Sequence, residues 1–363
     1  MLNALAEKGD VDMFAILGDN LYDQDGTASA SLLTLYPHVS FGVGGRVCLI
    51  PILTGLCINP RMACCNAGRL TTALFRGLSP AFKQTPLVVT PGNHDIWVAG
   101  GPGADSDRYD QFGHGFMQFY AQDSRAASGT GAAAGSGGLF NFSIVPEDPV
   151  NSELLNNAPD NFVLYHQFGN LGIIAYVGGG VEPAGILPAL KEACTFMGSD
   201  DAKLVTDVLL VGHWNDPSSG CPTGSNTPSI RDVAATLPGC SQFGGRLRFA
   251  DGHTHCNTVQ SDPGDNSTQG FMIGGHGMSG CGQYGFMVVD TTTGGATGVA
   301  GEDGAGGAGG DVGASNGGGM RVDYYEEASD SGGDSFDAIY SCVQERGISG
   351  CDALAHRWLQ PGM

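Results

Sequence analysis

Four short stretches of the chain carry residues that could do chemistry, and they share one form. Phe14-Ala-Ile-Leu17 is an apolar run that opens through Gly18 into Asp19, Asn20 and Tyr22. Leu87-Val-Val-Thr90 opens into Gly92-Asn93-His94-Asp95. Val208-Leu-Leu-Val211 opens into Gly212-His213-Trp214, and Leu247 to Ala250 opens into Asp251-Gly252-His253-Thr254-His255. A short apolar run reads as a buried strand, and in open α/β sheets ligands bind beyond the strands' carboxyl ends. One strand running into an Asp/Asn turn is ordinary loop chemistry. Four such endings, in a chain with nine histidines, assemble carboxylate, amide, imidazole and phenol donors. That mixture suits hard or borderline metal ions and not a thiolate zinc site. It holds more donors than one metal needs, and two metals sharing one carboxylate would use it.

The elements that must position these residues alternate between helix and strand. Met1 to Lys8 reads as the end of an amphipathic helix, close ahead of the strand at Phe14, so further residues are expected ahead of Met1. Thr71 to Leu78 has a helical pattern, as do Leu187 to Met197 and Asp200 to Asp207. Phe140–Val145, Phe162–Tyr165, Leu171–Val177, Gln269–Ile273, Phe286–Asp290 and Met320–Tyr325 read as strands. Phe41 to Gly68, rich in Gly and Cys and without periodicity, reads as an insert or a gene-model error. Residues 98–138 read as Gly/Ala/Ser-rich loop around the aromatic run Phe112 to Tyr120. Residues 294–319, almost all Gly, Ala, Asp and Ser, cannot pack a core. They read as a long hairpin loop between strands at 285–290 and 320–325. Residues 346–363 read as a C-terminal tail.

Bulk properties narrow the partners. The 363 residues allow one large domain or two ordinary ones, and 41% hydrophobic content can bury a substantial core. A net charge of −21 repels nucleic acid. It also repels an anionic small substrate, which would bind only where local positive charge such as a metal pair overrides the field. No membrane span is visible. The eleven cysteines show no closed zinc spacing; Cys221 with Cys240, and Cys342 with Cys351, are candidate disulfides. Asn141-Phe-Ser and Asn266-Ser-Thr are glycosylation sequons, a short pattern that also arises by chance.

Gly18-Asp-Asn-Leu-Tyr22, Gly92-Asn-His-Asp95, Gly212-His-Trp214 and Gly252-His-Thr-His255 resemble, in order, the motifs of calcineurin-like metallophosphoesterases. Tyr22 and Gly252-His-Thr-His-Cys-Asn257 make the resemblance strongest to small, single-domain purple acid phosphatases. It covers roughly residues 1–290, with 320–345 as a closing hairpin. The resemblance implies an α/β fold of two packed mixed β-sheets flanked by helices, in one domain over residues 1–345. It implies hydrolysis of small phosphomonoesters with two metal ions, Fe paired with Fe, Zn or Mn. Asp19 would bridge them, Tyr22 and His255 would bind the first, and Asn93, His213 and His253 the second. His94 would contact the phosphate and donate a proton to the leaving group. Two cations about 3.5–4 Å apart clamp both sides of an in-line displacement and acidify a bridging water, whose hydroxide attacks phosphorus. A secreted, lysosomal or vacuolar setting follows from the same resemblance; oligomeric state is left open.

Two departures shape the alternatives. The family's first motif, a strand ending in a metal-binding aspartate, has no counterpart and is expected ahead of Met1. Asp12 is no substitute, since seven extended residues place it about 23 Å from Asp19. A second phosphate-contacting histidine is missing from Asn215 to Pro222. The first departure leaves open an impaired or non-catalytic domain, the second a phosphodiesterase. His38, His114, His166 and His356 read as structural or exposed, and His276 as a loop residue.

Overall fold

The computed structural model describes residues 1–18, 75–93, 163–176, 183–215, 226–273, 283–291, 319–328 and 334–359. The expectations at 19–74, 94–162 and 292–318, the insert and most of the Gly-rich run among them, lie outside the described residues.

The centre is a six-stranded mixed sheet. Its strands are β3 (Val163–Phe168), β4 (Leu171–Tyr176), β5 (Asp207–Val211), β6 (Leu247–Asp251), β7 (Thr258–Ser261) and β8 (Thr268–Met272), in the order β3-β4-β5-β6-β8-β7. β4, β5, β6 and β8 run parallel; β3 and β7 close the edges antiparallel. Every residue of β4, β5 and β6 is buried, because inner parallel strands are covered on both faces and read as continuous apolar runs.

The two faces meet different layers. Ile174, Leu210 and Phe249 pack with Ile186 and Leu190 of α3 (Pro183–Met197) and Ile230 of α4 (Thr227–Thr236). Ile173, Leu209, Ala250 and Phe271 pack with Val88, Val322 and Leu359. Val88 lies on β2 (Leu87–Thr90), which pairs in parallel with β1 (Phe14–Leu17). Val322 and Leu359 belong to an antiparallel sheet of β9 (Gln283–Asp290), β10 (Arg321–Ala328) and β11 (His356–Leu359), in the order β11-β10-β9. Outside that layer, α1 (Leu2–Lys8), α2 (Pro80–Gln84) and α5 (Asp334–Arg346) share a third cluster with Phe14 and Tyr325. The result is α/β, with a mixed sheet and helices on the described residues.

Local rules set the ends of these elements. Gly9 closes α1 at φ 71°, the left-handed position that glycine takes without Cβ strain. The Ser79 side chain caps α2 by accepting from Phe82 N at 3.2 Å. Asn3 ties the two helices together, donating to Gly77 O and accepting from Ser79 N.

Three expectations are corrected. Asp200 to Asp207 is not a helix: a 3-10 turn covers Asp200–Ala202, and Asp207 already belongs to β5. The buried Asp207 carboxylate holds it there, 3.4 Å from Arg248 on the neighbouring strand. Cys240 bonds Cys194, not Cys221, with their Cα atoms 4.9 Å apart. Gly239, at φ 88°, makes this possible, since its Cα faces the Cys194 carbonyl where any Cβ would collide. Residues 346–363 are not simply a tail, because His356–Leu359 forms β11. The Cys342–Cys351 bond is present as read, and β9 pairs β10 from Asp290↔Arg321 onward, the expected hairpin.

Candidate metal centre

Two parallel pairs of strands, β1 with β2 and β5 with β6, present their carboxyl ends to one place. β1 leads into Gly18, β2 into Asn93, β5 into His213 and β6 into His253. Backbone bonds join these exits. The carbonyl of His213 accepts from Gly252 N at 3.1 Å and His253 N at 3.0 Å, while Gly212 N donates to Ala250 O. Thr90 Oγ1 donates to Ile16 O, so the β1 and β2 exits are held in step.

His213 is the hub, and it is 1% exposed. Its Nδ1 lies 2.7 Å from the carbonyl oxygen of Leu17. A carbonyl only accepts, so Nδ1 carries the proton and the neutral ring turns an unprotonated Nε2 toward the cleft. Nε2 faces Asn93 Oδ1 at 2.9 Å and His253 Nδ1 at 3.1 Å. Two acceptors, Nε2 and Oδ1, therefore sit at contact distance. Within the protein the contact is met by a proton on His253 Nδ1 donated to Nε2, or by the Asn93 amide turned so that Nδ2 donates. A cation between the acceptors would meet it as well. Two donors about 2.1 Å from one ion, at right angles to each other, are about 3.0 Å apart. The separations in the structure match that edge length, and an amide with two imidazoles is a donor set for a borderline metal.

The surroundings fix the ring. Trp214, fully buried, meets His213 edge-on at 5.0 Å and 88°, and lies 6.0 Å from His253. The Trp214 carbonyl accepts from Thr227 N, and the Thr227 hydroxyl pairs with Tyr176. Gly18 leaves the space that the imidazole fills: at φ 91° it has no Cβ, and one added there would collide with Nδ1 and lie 2.9 Å from Gly92 Cα. This is the arrangement in which a carbonyl sets the tautomer and direction of a ligating histidine.

The structure thus brings together Asn93, His213 and His253. His255 ends the turn after His253, its N–H donating to Gly252 O at 3.2 Å, with a left-handed φ of 57°. Asp19, Tyr22 and His94 lie outside the described residues. Among the described residues no group of three or more His, Cys, Asp or Glu side chains could hold a metal; the third donor of the cluster is an amide. Residue patterns alone miss three contributors. The Leu17 carbonyl has no side-chain signal. Trp214 sits in Gly212-His-Trp, where its bulk is visible but its packing is not. Asp251, fully buried below the His253 turn, accepts from Gln260 Nε2 at 3.3 Å through both oxygens.

No protein-family model matches the chain, and no curated protein matches it. Among solved structures it is similar to a candidate 5'-nucleotidase from Staphylococcus aureus in complex with alpha-ketoglutarate, at 18% identity and a TM-score of 0.22. The likeness covers 37% of this chain and 27% of that one. At that size it bears on neither fold nor function.

Proposed function

We propose that the chain is a metal-dependent phosphoester hydrolase of the metallophosphoesterase kind, with phosphomonoesters as substrates in the manner of purple acid phosphatases. The observation that carries this reading is the His213 ring. Its Nδ1 faces the Leu17 carbonyl, and its Nε2 lies within 2.9 Å of Asn93 Oδ1 and 3.1 Å of His253 Nδ1, so an amide and two imidazoles share one small space. Asn93, His213 and His253 would hold one ion, with Asp19 bridging to a second held by Tyr22 and His255. When bound, such a pair supplies Lewis acidity, neutralising phosphate charge and acidifying water. The chain's own residues do the rest. The Leu17 carbonyl keeps Nε2 of His213 unprotonated, Trp214 excludes water from the ring's edge, and His94 would give its proton to the leaving oxygen.

Turnover of metal-loaded protein on p-nitrophenyl phosphate and bis(p-nitrophenyl) phosphate tests the reading. Hydrolysis of the monoester, abolished in His213→Ala with the fold intact, is the expected result. Faster diester hydrolysis would shift the assignment to a phosphodiesterase. No metal-dependent hydrolysis of either ester would refute it.

A further inference from the structure

The β7–β8 hairpin carries Asn266-Ser267-Thr268, and the disulfides point to the compartment in which that sequence is read. Cys194, Cys240, Cys256, Cys342 and Cys351, every cysteine among the described residues, are in disulfides. Cys194 and Cys240 are fully buried, so their bond is part of the core. Disulfides persist in oxidising compartments and are rare where glutathione and thioredoxin keep thiols reduced. A chain folded there, in a cell that glycosylates, meets the machinery that modifies Asn-x-Ser/Thr.

The site itself is built to be modified. Asn266 lies at the hairpin tip, and residues 263–267 are all exposed. The tip is held by its own bonds: Asn266 N donates to Asp262 O at 2.9 Å, Gly264 N to Asp262 Oδ1 at 2.7 Å and Ser267 N to Asp265 Oδ1 at 2.8 Å. Asn266 takes φ 60°, which an asparagine tolerates in a turn. The tip is also remote from the metal cluster. β8 runs parallel to β6, whose carboxyl end leads to His253, so the tip lies at the amino end of β8, about 16 Å back along five residues. A carbohydrate there leaves the cleft open.

We propose that Asn266 is an acceptor for an N-linked oligosaccharide, a modification independent of the phosphatase reading. The donor class is a lipid diphosphate-linked oligosaccharide. A bond forms between Asn266 Nδ2 and the sugar's anomeric carbon, the anomeric C–O bond to diphosphate breaks, and the amide proton leaves with the lipid diphosphate.

The test uses the full chain purified from the cells that make it, from secreted and retained fractions alike. Amidase release of N-glycans in heavy-oxygen water converts an occupied Asn266 to isotope-labelled aspartate, read by peptide mass. Label at Asn266 in the wild type, its loss in Thr268→Ala and its retention in Thr268→Ser are expected, with bound metal per chain the same in all three. An unlabelled Asn266 in the wild type, or label persisting in Thr268→Ala, overturns the proposal. So does ready alkylation of Cys194 and Cys240 in unreduced, denatured protein, because the compartment would then be a reducing one.

Discussion

At the scale of single residues, the site depends on which nitrogen of His213 holds the proton. That choice is made by a backbone carbonyl at 2.7 Å, and Gly18 gives the ring access to it. Gly18→Ala puts a methyl group where the imidazole lies and adds left-handed strain of about 1 kcal/mol. Altering a partner that orients a metal-ligating histidine typically costs 10–100-fold in affinity. Gly18→Ala is therefore expected to weaken metal binding about 10-fold or more and, because the methyl group also meets the Gly92 backbone, to lower the unfolding midpoint as well. Equilibrium dialysis beside a thermal melt checks both. Asn93, His213 and His253 were legible in the sequence because each follows an apolar run through a glycine turn. The Leu17 carbonyl was not, since every residue has one and only the fold decides where it points.

At the scale of elements, the strands with an apolar run were readable and the edge strands β7 and β11 were not. β4 is apolar along its length, and β5 is apolar beyond Asp207, because both faces are covered. β7, Thr258-Val-Gln-Ser261, is an edge strand with a largely solvated pattern and offers no such run. α4 was not read from the sequence, and its clearest local signal is the cap: Asn226 Oδ1 accepts from Ser229 N at 3.1 Å, with a proline in the first turn. β11 escaped notice because its burial is tertiary. Trp358 stacks on Tyr324 at 4.5 Å and on Phe271 at 6.1 Å, spanning the two sheets. Trp358→Ala should cost about 2 kcal/mol, below the range for a fully buried aromatic, with the loss appearing in the denaturation midpoint. The β9–β10 ladder, by contrast, needs little from its connection. Its pairs run unbroken from Asp290↔Arg321 to Gln283↔Ala328, and loop closure entropy changes slowly with length. Replacing residues 294–319 with a short turn is expected to leave the melting temperature nearly unchanged; a fall of many degrees would mean that the run packs against the fold.

At the scale of the whole molecule, charge opposes the capture of the anionic substrate proposed above. A net charge of −21 repels anions at long range, and under the proposed function a metal pair would attract phosphate esters at short range. Salt screens the long-range field first, because the Debye length falls from about 30 Å at 0.01 M to about 8 Å at 0.15 M. For an anionic monoester, kcat/KM should rise across that interval with kcat little changed. A fall would show that the surface near the cleft attracts anions locally. The same charge accounts for the expectation that nucleic acid is not a partner, which a binding assay at low salt would expose if wrong.

Asn93, His213 and His253 are proposed to hold a metal ion, and the metal each protein retains after dialysis is the decisive measurement. Wild-type protein and the His213→Ala variant are loaded with metal, dialysed to equilibrium and assayed for ions per chain, with circular dichroism recorded on both. At least one tightly held ion in the wild type, lost in His213→Ala without unfolding, is the expected result. Equal metal content and affinity in the two folded proteins would contradict it.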